Sequence, residues 1–268
     1  MSSTDAAFSG SIPALYDRCL GPFLFEPFAR DLAERVAAMA PRRILETAAG
    51  TGIVTAAVLR ELPEAEIVAT DLNQAMLDLA AQRVRSAAVS FQAADAQDLP
   101  FGDGSFDLVL CQFGVMFFPD RVRAYREANR VLKRGGVFLF NAWGSLAANP
   151  APDAAARAVA GLFPDDPPSF LERVPFGYFD AARIEKDLVA AGFENVVIET
   201  VAKRSRAADA REAAIGLCIG TPLRAEIEAR DASRLEVATD AAAAALVAMT
   251  GGEGLDAPMS ALVVSARS

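Results

Sequence analysis

The sequence predicts an α/β fold: a mostly parallel sheet with helices on both faces. Three observations point there. Short apolar runs alternate with amphipathic stretches from Arg43 onward. One of the runs, Phe106 to Gln112, is nearly continuous apolar, as a strand covered on both faces must be. A strand ending in an acid, Glu46, runs through small residues straight into a helix.

The elements follow in order. Residues 13 to 40 read as two helices, with Phe28, Leu32, Val36 and Met39 sharing a face of the second. Strands are expected at Arg43–Glu46, Glu66–Asp71, Val89–Ala94, Phe106–Gln112 and Val137–Trp143. Between them lie helices at Gly52–Leu62, Gln74–Ser86 and Asp120–Leu132. The last should bury Val122, Tyr125, Asn129 and Leu132 and end at Gly135-Gly136. After Trp143 the alternation breaks, and residues 144 to 178 hold six of the fifteen prolines. This reads as an irregular insertion with one short helix near Asp153 to Leu162. Asp180 then caps a helix that Gly192 ends, Glu194–Val201 is a sixth strand, 207 to 249 is helical, and Met259–Ala266 is the last strand. The expected organisation is a single domain over 1–268, with cap segments at about 1–40, 144–178 and 203–255.

Composition narrows the partners. With 35 acidic against 26 basic residues, the net charge of −9 repels phosphate backbones, so no nucleic acid partner is expected. Three scattered cysteines without a CxxC pair suggest neither a disulfide framework nor a metal site. No apolar run reaches about 18 residues and the N-terminus lacks a signal-peptide layout, so no membrane partner and a cytoplasmic location are expected. Oligomeric state cannot be read. There is no histidine, so any chemistry must run without imidazole.

The strongest motif is Glu46-Thr47-Ala48-Ala49-Gly50-Thr51-Gly52, a small-residue turn between strand and helix. Glycine lets a backbone approach a ligand closely. Asp71 ends the next strand, 19 residues beyond Gly52, where a carboxylate can accept from both hydroxyls of a ribose. Together they suggest an adenosine ligand. The third glycine of a nicotinamide fingerprint is missing, because position 55 is Thr55, and Glu46 would repel a pyrophosphate but not a cationic ammonium. Asp95-Ala96 follows the third strand, where a carboxylate and a backbone N–H can read an adenine edge.

Leu45 to Gly52, Ala69 to Leu72, Asp95-Ala96, Leu99 to Asp107 and Arg130 to Gly136 resemble the ordered motifs of class I S-adenosylmethionine-dependent methyltransferases, in particular the type 11 branch that includes ubiquinone/menaquinone methyltransferases. The resemblance covers residues 13 to 143 well. It implies a Rossmann-like methyltransferase fold whose seven-stranded sheet has its last strand antiparallel, with a helical cap from the N-terminus and the insertions. It implies S-adenosyl-L-methionine as cofactor, with Glu46 orienting the methionyl ammonium and Ala48, Gly50 and Gly52 lining the methionine side. Asp71 would hold the ribose, Leu72 and Met76 would pack near the adenine, and Asp95 and Ala96 would read its edge. Gln112 would close the methionine end, with Phe113 beside it, and Tyr16 would cover the cofactor. One departure is Ala48, where relatives carry glycine.

Apolar residues after the central strand, Met116 and Phe117 among them, are expected to wall the acceptor, which points to a small apolar or aromatic molecule. No catalytic base is assigned; the candidates are Tyr16, Asp17, Glu26 and Asp120. A nicotinamide oxidoreductase of related fold and a non-catalytic S-adenosylmethionine-binding protein stay open as alternatives.

Overall fold

In the computed structural model, which describes Asp5, residues 10–252 and residues 254–268, seven strands form one sheet. In chain order the elements are α1 (Ile12–Leu15), a π-helical stretch (Tyr16–Phe25), α2 (Glu26–Met39), β1 (Arg43–Glu46), α3 (Ile53–Glu61), β2 (Glu66–Asp71), α4 (Gln74–Arg83), β3 (Val89–Ala93), β4 (Phe106–Gln112), α5 (Arg121–Val131) and β5 (Leu132–Trp143). There follow α6 (Pro150–Ala160), α7 (Phe170–Arg173), α8 (Ala181–Ala190), β6 (Glu194–Ala207), α9 (Ala210–Cys218), α10 (Leu223–Asp231), α11 (Leu235–Thr250) and β7 (Leu255–Arg267). The strand order is β3-β2-β1-β4-β5-β7-β6. β1 pairs parallel with β2 and β4, and β5 pairs antiparallel with β7, as the sequence implied.

The chain divides into two compact units. One comprises Phe28–Trp143, Tyr178–Val201 and Ala261–Ser268 and holds the parallel part of the sheet. The inner strands β1, β2 and β4 are buried at nearly every residue, so both of their faces are covered; Ile44, Leu45, Val109, Leu110 and Phe140 are among the core. Asp120 caps α5, its carboxylate accepting from the Arg123 amide, and Asp180 caps α8 in the same way. The α5 core face is Ala124, Tyr125, Ala128 and Val131 rather than the expected Val122, Tyr125, Asn129 and Leu132. The helix also stops earlier than expected, at Val131. Leu132 already pairs with Phe106, and Gly135-Gly136 lie inside β5, where the register jumps to Leu108 opposite Val137. Gly135 sits there at φ +78°, a conformation open to glycine.

The other unit comprises Met1–Pro27, Gly144–Gly177 and Ala202–Ser260. Here α11 packs on α6 and α9, and α9 packs on the π-helical stretch. Pro22, with no N–H to give, lies in that stretch, where the regular helical ladder is lost. Arg173 bridges Asp5 and Glu226, and the second oxygen of Glu226 accepts from the first amides of α7. Among the described residues no helix is long and apolar enough to cross a membrane.

Candidate cofactor site

β1 delivers Glu46 to the carboxyl edge of the sheet, where it is 1% exposed. Thr55, in the first turn of α3 and fully buried, donates its hydroxyl to Glu46 Oε2 at 2.7 Å. Glu46 Oε1 has no hydrogen-bond partner among the described residues. Burial pushes this carboxyl up to about 8; the Thr55 hydrogen bond opposes that rise and the charge of Asp71 adds to it.

The turn after Glu46 is fastened to the neighbouring strands. Thr47 N–H donates to the Leu110 carbonyl, Ala49 N–H to that of Thr70, and Gly50 N–H to Asp71 Oδ2 at 2.9 Å. Ala48 has φ +52°, so the family's glycine position is a left-handed one, and here alanine occupies it. Gly50 (φ +56°) faces open space. Gly52 (φ +76°) differs: a Cβ there would lie 3.0 Å from Ala80 Cβ, so its bareness serves the packing of α4 on the turn.

Asp71 ends β2, 7% exposed. Its Oδ1 accepts from the Asn73 amide at 2.8 Å and from the Asn73 side chain at 3.4 Å, while Oδ2 accepts from Gly50. Burial raises this carboxyl too, opposed by the hydrogen bonds from Asn73 and Gly50. The next residue, Leu72, is 64% exposed, whereas Met76 is buried. Asp95, half-buried after β3, accepts from the Gln97 amide, and Ala96 stands half-buried beside it. At the end of β4 Gln112 is half-buried, and Phe113 turns through φ +51°. The Phe113 ring stacks on Trp143 at 3.8 Å and meets Phe28 edge-on, while its amide donates to Asn141 Oδ1. A bulky residue in this conformation is strained, and such strain concentrates at functional edges. Gly114 follows, and a Cβ on it would lie 2.5 Å from Ala48 Cβ and 2.8 Å from Cys111 Sγ. The turns after β1 and β4 therefore touch.

Strand order places these groups in a row: Asp95 just after β3, Asp71 at the end of β2, Glu46 at the end of β1, Gln112 at the end of β4. This is the edge where open α/β sheets take ligands. Beyond β4, Met116 is fully buried and Phe117 half-buried. Tyr16 belongs to the other unit, where its ring stacks on Phe25.

A methyltransferase domain family matches residues 45–140, the stretch carrying this row. The demethylmenaquinone methyltransferase of Thermotoga maritima is 36% identical over 122 residues, 46% of this chain and 52% of the relative. That of Lactobacillus johnsonii is 31% identical over 169 residues, 58% of this chain and 68% of the relative. The chain belongs to the class I S-adenosylmethionine-dependent methyltransferases, in the type 11 branch. It spans about half the length of the first curated relatives it matches. The fold is also that of a Haemonchus contortus phosphoethanolamine N-methyltransferase solved with S-adenosyl-L-methionine, at a TM-score of 0.55, 16% identity and coverage of 97% of this chain and 60% of that one.

The residues of this chain fit that cofactor. Glu46 Oε1 has room for a donor such as an ammonium, Gly50 leaves space, and among the described residues no basic side chain pairs with either acid. Two contributors escape a reading of the sequence. Thr55 counts there only as a missing glycine, although its place nine residues after the acid, in the first helical turn, directs it back at the strand end. Asn141, fully buried on β5, fixes the Phe113 turn through a contact 28 residues distant.

Proposed function

We propose that this methyltransferase transfers a methyl group from S-adenosylmethionine to a small apolar or aromatic acceptor. The observation that carries the reading is the buried Glu46 with one oxygen spoken for and the other unused, beside a second buried acid on the adjoining strand. Two clustered carboxylates without a basic partner suit a cationic amino acid joined to a nucleoside, and oppose a pyrophosphate.

Bound here, S-adenosylmethionine supplies an electrophilic methyl on a sulfonium that is already a good leaving group. Glu46 accepts from the methionyl ammonium. Asp71 accepts from the ribose hydroxyls, Leu72 flanks the adenine with Met76 in the core behind, and Asp95 and Ala96 read the adenine edge. The Gln112 backbone carbonyl closes the methionine end. Phe117 offers apolar surface near the transferred methyl, with Met116 as its buried support. What these residues contribute is alignment and exclusion of water, worth about 7–11 kcal/mol in favourable cases. The relatives are named for demethylmenaquinone, and a reduced quinone ring is one acceptor of the proposed class.

Titration calorimetry of the chain with S-adenosylhomocysteine and with NADH tests the cofactor, and labelled S-adenosylmethionine with phenols, hydroquinones, amines and carboxylic acids tests the acceptor. We expect the nucleoside to bind, NADH to be ignored, Asp71→Asn to weaken binding by roughly ten- to hundredfold, and label to appear on aromatic acceptors. A wild-type protein that takes NADH in preference to the nucleoside would sink the reading.

A further inference from the structure

We propose that Thr55 is the positioning residue of the cofactor site: by donating to Glu46 Oε2 it fixes the carboxyl plane and leaves Oε1 as the acceptor for the ligand's ammonium. This rests on the cofactor reading given above.

The geometry is specific. Thr55 and Glu46 are 0% and 1% exposed, and the O···O distance is 2.7 Å, that of a well-formed O–H···O hydrogen bond. No other described group bonds the carboxyl, so without Thr55 nothing polar would hold its rotation. A carboxyl has two acceptor oxygens, and a hydroxyl committed to one of them selects which is left to the ligand. The hydroxyl is held in turn by its backbone, because Thr55 lies in the first turn of α3, whose start is pinned by the Gly52 amide on the Ala49 carbonyl. Threonine also has few rotamers, so the donor is preorganised. A glycine at this position would leave a gap where the buried Thr55 side chain packs and could not orient the acid.

Thr55 has a second consequence at the same atom. A donor to the carboxylate favours the ionised form, the form a cationic ligand needs. Removing the donor makes Glu46 harder to ionise, so ligand binding, which releases a proton from Glu46 at neutral pH, should move to higher pH.

The test compares wild type, Thr55→Val and Thr55→Ser. The Glu46 carboxyl is titrated by carbon-13 NMR in the ligand-free protein, and S-adenosylhomocysteine affinity is measured from pH 6 to 9. Valine keeps the shape of threonine and serine keeps the hydroxyl. Expected for Thr55→Val are a Glu46 midpoint above that of wild type, affinity at pH 7 weaker by roughly ten- to hundredfold, and a pH profile displaced upward. Thr55→Ser should restore all three. An unchanged midpoint in Thr55→Val, or a Thr55→Ser variant as weak as Thr55→Val, overturns the inference. Wild-type protein that ignores the nucleoside at every pH, with the Glu46 midpoint still displaced by Thr55→Val, overturns the cofactor reading and leaves the Thr55–Glu46 coupling standing.

Discussion

Replacing Glu46 by glutamine should change how stability depends on pH. In the folded ligand-free protein burial lifts this carboxyl from 4.5 to about 8. The unfolded chain gives up its proton near 4.5, so between the two values the folded state holds more protons. Wild-type stability therefore falls as pH rises through that window. At about 1.36 kcal/mol for each tenfold change, the full penalty approaches roughly 5 kcal/mol above pH 8, and about 2.5 kcal/mol of it accrues between pH 5 and pH 7. Glutamine matches the protonated acid in shape, can accept from the Thr55 hydroxyl, and has no proton to lose. Urea unfolding of both proteins at pH 5 and pH 7 should show Glu46→Gln gaining about 2.5 kcal/mol on wild type between the two. The same variant should bind S-adenosylhomocysteine more weakly, because the ammonium loses its charged partner. A stability difference that is the same at both pH values would refute the reasoning, since Glu46 would then be ionised throughout.

Ala48→Gly should raise stability by about 0.5–1 kcal/mol in thermal melts, because it removes a Cβ from a left-handed residue (φ +52°). Gly114→Ala should lose about 1–3 kcal/mol by overpacking against Ala48 and Cys111, and in the double variant with Ala48→Gly part of that loss should return, which a double-mutant cycle would read. Met116→Ala, at a fully buried site, should cost about 2–5 kcal/mol of stability, whereas Phe117→Ala should raise KM for the acceptor with little change in cofactor affinity.

Much of the architecture was legible before any coordinates. β4 is found residue for residue, since a strand covered on both faces must be apolar throughout. The Asp180 cap was visible because capping is a local event between a side chain and amides two or three residues on, whereas the Asp120 cap came only from the structure. The outer strands were less so. β6 and β7 run several residues past the expected Val201 and start before the expected Met259. Their extensions are held by Arg204 and the Ser205 hydroxyl on the Asp256–Ala257 backbone, contacts between residues 52 positions apart in the chain. The α5 face and its end were misplaced by about one residue each, because the pairing of Leu132 with Phe106, 26 positions away, decides where the helix stops.

The sequence alone determined the order of strands and helices and the placing of Glu46 and Asp71 at strand ends, because hydrophobic period and turn chemistry are short-range properties. Which oxygen of Glu46 is held, why Ala48 and Gly114 must share so little space, and which of Leu72 and Met76 meets solvent were settled only by the fold. Those facts depend on distances between atoms far apart in the chain, and on the loss of water around two acids that folding brings side by side.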